Sequence, residues 1–206
     1  MPTLLSHPAV PLALGLGLGR QAVPARLLAA GAVASVLPDL DVIAFRFGVP
    51  YSAQLGHRGF IHSLMAAALV GLIGAIGHRW LGVRPRTALA FLFAATASHP
   101  LLDALTNGGL GVALLWPFST ERFFAPIRPI LVAPIQLARF FSPRGTAVLL
   151  SELRWVWFPA AMLGGALAWF RRRPARKQVS SSDPACACAK EQRTRGTRGA
   201  HERAAG

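Results

Sequence analysis

Cysteine is nearly absent: the 206-residue chain has two, Cys186 and Cys188, separated by a single residue in its C-terminal part. Two thiols at that spacing exclude a disulfide framework and a four-cysteine zinc site. Charge is scarce as well. Charged residues make up 15% of the chain against 53% hydrophobic ones, too little polar surface for an ordinary soluble domain and enough apolar sequence for four or five membrane segments. Acids are scarcest, eight in all and five of them before residue 171. Between residues 64 and 77 there is no charge at all. The N-terminus, Met1-Pro2-Thr3-Leu4-Leu5-Ser6-His7, lacks the basic leader of a secretory signal peptide, and Pro8 and Pro11 interrupt its apolar stretch, so it is expected to be retained.

The positive charge that is present divides evenly. Residues 1–170 carry 12 Arg against 5 acids, and residues 171–206 carry 10 Lys and Arg against 3, so each part nets +7 of the total +14. A basic tail beside a membrane segment sets topology. It also offers a handle for anionic lipid or a cytoplasmic protein partner, and nucleic acid is the poorer fit. Two regions follow: a membrane-embedded helical domain over 1–170, and a tail over 171–206, rich in Ser, Ala, Gly and Arg without apolar period, expected to be disordered.

The predicted fold class is all-α, a polytopic membrane bundle whose first two segments are short. Apolar runs at 4–19 and 25–37 fall below the about 20 residues a crossing requires, which predicts a tilted or re-entrant hairpin. Pro38 is expected to end the second run, leaving 39–54 irregular. The clearest span is predicted from 59 to 81 and another from 87 to 106, stopped by Asn107-Gly108-Gly109. A last one covers 149–170, with Trp155, Trp157 and Trp169 as interfacial anchors. The connection 110–146, rich in Pro, Phe and Arg, is expected to form an ordered lid with a short interfacial helix at 130–141.

If the first two runs go up and down, four polar clusters return to one membrane face: His7; Asp39 and Asp41; His57 and His62; His99 and Asp103. Each is costly inside lipid, so their convergence points to a site. His99 and Asp103, four apart, share a helix face as two ligands of one ion require. His57 and His62, five apart, do not fit one helix, and Gly59 between them lets the chain turn. Asp39 and Asp41 can reach the same centre if the backbone bends. The candidate metal ligands are therefore His7, Asp39, Asp41, His57, His62, His99 and Asp103. Four histidines and three aspartates suit zinc or another first-row divalent ion, one or two in number. Asp39 or Asp41 is the candidate general base, and Arg58 the candidate to hold a substrate phosphate or carboxylate, with Arg122 and Arg128 behind it. His78, beside Arg79 on the opposite face, reads as interfacial and is left out.

The stretches Leu37-Pro38-Asp39-Leu40-Asp41, Gly56-His57-Arg58-Gly59-Phe60-Ile61-His62-Ser63-Leu64, Ser98-His99-Pro100-Leu101-Leu102-Asp103-Ala104-Leu105-Thr106 and Leu115-Trp116-Pro117-Phe118 resemble the YdjM-like family of bacterial inner-membrane proteins named as metal-dependent hydrolases. The likeness covers about residues 1–160. It implies a membrane-embedded, largely helical protein with a metal site, a distant likeness to zinc-dependent phospholipase C folds and, for some members, binding of a DNA-damage repressor. The family's His and Asp positions fall on Asp39, Asp41, His57, His62, His99 and Asp103, and its N-terminal histidine on His7. Ile61 stands where threonine is usual, removing a hydroxyl. Val42 stands where some members have a histidine, which weighs against a fully occupied dinuclear site.

The leading expectation is a metal-activated water attacking an ester or phosphoester of an amphiphilic, lipid-linked substrate. Arg20, Arg26, Arg79, Arg84, Arg86 and the 171–177 cluster lie opposite the site and predict a cytoplasmic tail in the inner membrane, with the site facing outward. Two alternatives stand beside it. A non-enzymatic metal carrier would need polar groups continuing through the spans, and a recruiting protein would act through its basic tail.

Overall fold

Proline and glycine decide where the helices start and stop. The computed structural model describes residues 2–133 and 142–173. Helix α1, Ala9–Leu18, begins after Pro8 and ends at Gly19, whose φ of 83° suits glycine alone. Helix α2, Ala25–Val36, follows Pro24. The break expected at Pro38 does not occur. Pro38 stands in the first turn of a 3-10 helix, Leu37–Phe47, where its missing N–H costs nothing. The chain therefore runs helically from Ala25 to Phe47, where an irregular loop was expected from residue 39. This 23-residue stretch is the one helix among the described residues that is long and apolar enough to cross a membrane. Gly48, at φ 75°, closes it.

Helix α3, Leu64–Ile76, opens on Ser63, whose Oγ accepts from the Ala66 N–H at 3.1 Å. The span expected over 59–81 is thus shorter: a 3-10 turn, Phe60–His62, precedes α3, and Gly77 separates it from α4, His78–Leu81. Helix α5, Pro85–Ala104, starts on a proline and carries Pro100 within it. Helix α6, Pro143–Glu152, passes through a π-helical segment, Leu153–Trp157, into α7, Phe158–Arg172. No strand occurs among the described residues, so the class is all-α. Isolated bridges from Thr106 to Ile130 and from Val112 to Phe123 tie down the connection after α5. Residues 130–133 of the expected interfacial helix are not helical. The remainder of that element lies outside the described residues, as does the tail beyond 173.

Packing is arranged for lipid. Helix α5 is flanked by α2 and α3, and α1 lies against α7. Helix α3 turns its small residues, Ala66, Ala67, Gly71 and Gly74, inward and leaves Leu69, Leu72, Ile73 and Ile76 outside, the last 84% exposed. A soluble helix does the reverse. Large apolar groups outside and close backbone approach inside are what helices in a bilayer use to associate. Glycine lets α1 and α7 approach closely: a Cβ on Gly17 would lie 2.8 Å from the Gly164 carbonyl oxygen, and one on Gly164 2.9 Å from that of Ala13. Apolar contacts among Leu27, Ala34, Ala88 and Phe91 join α2 to α5, and others among Ala9, Ala13, Val156 and Ala160 join α1 to the π-helical segment and α7.

Candidate metal centre

Each polar cluster arrives on a different element. His7 lies in the turn before α1, and Asp39 and Asp41 in the first turns of the 3-10 helix. His57 sits in a loop, His62 ends the turn Phe60–His62, and His99 and Asp103 share α5. The five-residue spacing of His57 and His62 is met by a tight reversal. Arg58 adopts a left-handed φ of 62°, and Gly59 packs so closely that a Cβ there would lie 2.0 Å from the Gln54 carbonyl oxygen. All seven predicted ligands are buried, and His7, His62, His99 and Asp103 completely so.

Five of them meet at one point. His62 Nε2 lies 3.1 Å from His99 Nε2, 3.5 Å from Asp103 Oδ2 and 4.0 Å from Asp39 Oδ1. His99 Nε2 is 3.5 Å from Asp39 Oδ1 and 4.0 Å from Asp103 Oδ2. His7 stacks on His99 with ring centroids 3.7 Å apart, and its Nε2 is 3.5 Å from Asp39 Oδ2. Ligand bonds of 2.0–2.2 Å at tetrahedral angles set neighbouring donor atoms about 3.3–3.6 Å apart. Hydrogen bonds alone leave much unsatisfied here. Among the described residues, both ring nitrogens of His7 and both oxygens of Asp39 are buried without a hydrogen-bond partner. Buried polar atoms are costly in that state. Donor types, burial and spacing all fit a metal ion, and two separate groups could hold one: His7, His99 and Asp103, and Asp39, His57 and His62.

The remaining polar groups face the ligands from behind. The Nδ1–H of His99 donates to the Ser35 carbonyl at 2.7 Å, which fixes the tautomer and leaves Nε2 free to ligate. Asp41 accepts from His57 Nδ1 at 2.5 Å and from the Arg58 backbone N–H at 3.1 Å. His62 Nδ1 lies 3.1 Å from the same carboxylate, off the ideal hydrogen-bond line. Asp41 thus stands on the far side of two histidine rings from the point where their partners converge.

Arg58, expected to hold a substrate anion, is fully buried and engaged within the protein. Its Nε pairs with Asp103 Oδ2 at 3.0 Å, Nη1 donates to the Gly108 carbonyl at 2.9 Å, and Nη2 donates to Thr106 Oγ1 at 3.0 Å. Such a guanidinium orients Asp103 and makes its contacts inside the protein. Arg122 is similarly occupied, donating to the carbonyls of His57 at 3.1 Å and Ala53 at 3.0 Å. With the Ala113 N–H to the Arg58 carbonyl at 3.0 Å, it pins the connection after α5 onto the site loop.

Burial, together with the neighbouring His99, holds the His7 imidazole well below its usual range. Burial also lowers His62, against the pull of Asp41. A lowered pKa favours the neutral ring, the form that ligates metal. Sequence reasoning missed Ser35, Thr106, Thr3, Ser6 and Glu152, whose roles depend on distant partners. For Glu152 alone there was a signal, since it is one of only five acids before residue 171.

An all-helical chain with an apolar exterior, closing around histidines and aspartates that could hold a metal ion, defines a membrane protein with a buried polar centre. A model of the YdjM inner membrane protein family matches residues 1–175, and the chain belongs to that family. The inner membrane protein YbcI of Escherichia coli (strain K12) is 51% identical to it over 174 residues, covering 84% of this chain and 100% of that protein. The chain is accordingly an inner membrane protein. No solved structure matches it.

Proposed function

We propose that the chain is a membrane-bound metal-dependent hydrolase whose ion is held by His7, Asp39, His62, His99 and Asp103. The observation that carries this reading is the meeting of three Nε2 atoms and two carboxylates at 3.1–4.0 Å inside the protein. Zinc or another first-row divalent ion, bound there, supplies a water acidified to a pKa of about 7 and a Lewis acid for an ester or phosphoester oxygen. Asp39 would hold the ion through one oxygen and offer the other to take a proton from its bound water, because both oxygens lack a hydrogen-bond partner among the described residues while those of Asp41 serve His57 and Arg58. Asp41 and Arg58 keep the ligands in place. Asp39, His57 and His62 form a second group whose ligand atoms lie close enough together to hold an ion.

The substrate class follows from surroundings. Leu40, Ile43 and Phe47, on the 3-10 helix that carries Asp39, are exposed apolar groups, which supports an amphiphile such as a lipid-linked ester. Several helices cross the bilayer in this reading, with the site outward. The basic turns support that orientation by meeting at one end: Arg26 donates to the Trp80 carbonyl at 3.2 Å, and the Arg171 guanidinium covers Gly19. A carrier is disfavoured because α3 presents no polar group along its length.

The test is metal analysis of the purified protein beside His99→Ala, followed by a screen of ester and phosphoester substrates. Wild type is expected to retain metal and the variant to lose it together with any hydrolysis. Equal metal content in the two sinks the proposal. Truncation after Arg173 leaves hydrolysis intact here, whereas loss would favour recruitment by the tail.

A further inference from the structure

Glu152 is the last residue of α6, directly before the π-helical segment, and is almost completely buried. Its carboxylate accepts from the Thr3 backbone N–H, from Thr3 Oγ1 at 2.6 Å and from Ser6 Oγ at 2.6 Å. Trp157 adds a fourth tie, its Nε1–H donating to Ser6 Oγ at 3.2 Å. The C-terminal helices thereby grip the residues just ahead of His7.

Among the described residues, that segment has few bonds of its own. Leu4 and Leu5 are exposed, and its own backbone bonds are two turn contacts, Ser6 N–H to Thr3 O at 3.0 Å and Ala9 N–H to Ser6 O at 3.2 Å. The His7 ring makes no hydrogen bond among the described residues and is located by its stacking on His99. Where His7 Nε2 points therefore depends on the grip on residues 3 and 6. A carboxylate suits the task because it only accepts, and one backbone N–H and two hydroxyls donate to it.

We propose that Glu152 is a positioning residue for the metal centre, acting through Thr3 and Ser6 to aim His7, so that α6 and α7 complete a site built from the first 103 residues. This rests on the metal reading above. The experiment is a double-mutant cycle on the full chain in detergent, reading zinc affinity by chelator competition. Glu152→Ala is expected to weaken zinc binding about 10–100-fold in the wild-type background, the loss typical of removing a group that orients a ligand. In a His7→Ala background the same substitution is expected to change affinity less than about twofold, because the ligand it aims is gone. Equal weakening in both backgrounds, or none in either, overturns the inference. If Glu152→Ala does not fold, Thr3→Val is read through the same cycle with the same expected outcomes. A wild-type protein that binds no zinc fails the metal reading and this inference with it, whereas zinc binding indifferent to Glu152 fails only the inference.

Discussion

Asp41 separates a ligand from a group that orients ligands, and its substitution makes the distinction measurable. Two donors bond its carboxylate, His57 Nδ1 on one oxygen and the Arg58 backbone N–H on the other, and His62 Nδ1 lies 3.1 Å from that second oxygen. An asparagine offers one oxygen and one NH2 in the same shape. The Arg58 N–H cannot reverse, so the amide oxygen must take its side, which also preserves the contact to His62. The NH2 then faces His57, whose ring can change tautomer and accept. What Asp41→Asn removes is chiefly the negative charge that makes His62 a stronger donor to the ion. Outer partners of this kind are worth about 10–100-fold in metal affinity. Asp41→Asn is expected near the lower figure, about 1.4 kcal/mol, and Asp41→Leu, which loses the orientation as well, near the upper, about 2.7 kcal/mol. Zinc affinity of the purified protein by chelator competition, with helicity checked by circular dichroism, reads both. Asp41→Asn losing zinc as completely as His99→Ala would make Asp41 a ligand and refute the reasoning. Wild-type affinity in both Asp41 variants would refute it from the other side.

Three further outcomes are expected. Arg58→Leu leaves Asp103 buried without its guanidinium, a change costing about 3–5 kcal/mol, so the thermal midpoint should fall steeply; an unchanged midpoint with an altered KM would return Arg58 to substrate binding. Gly164→Val forces a side chain against the backbone of α1, where overpacking costs about 1–3 kcal/mol; the lowered unfolding midpoint should be accompanied by weaker zinc binding as α1 and the adjoining His7 shift, and a wild-type midpoint would refute the close packing of α1 on α7. Acidification should strip the metal as protons compete for imidazole. Metal content measured after dialysis across a pH series should therefore fall as the pH falls, and content indifferent to pH would count against histidine ligation.

The polar clusters were legible because this chain is so apolar. Where acids are rare and a helix such as α3 carries no charge, each buried His or Asp stands out against the cost of placing it there. The four-residue spacing of His99 and Asp103 was equally readable, since a helix stacks those positions and nothing distant is needed to bring them together. Their roles were not. Asp39 and Asp41 look alike in sequence, and both were assigned to the metal. The 3-10 helix that Pro38 opens turns about 240° between them, so one faces the centre and the other faces the backs of His57 and His62.

Composition and local spacing therefore determined the helical class, the apolar exterior and which residues form the polar centre. These are properties of short stretches weighed against a solvent of lipid. Tertiary structure alone decided that Arg58 pairs inward with Asp103, Thr106 and Gly108 instead of reaching a substrate. It also decided that Glu152, 149 positions from Thr3, holds the segment carrying His7. A hydrogen bond between residues that far apart leaves no mark in the local pattern of either one, because its partner is chosen only when α1 packs on α7.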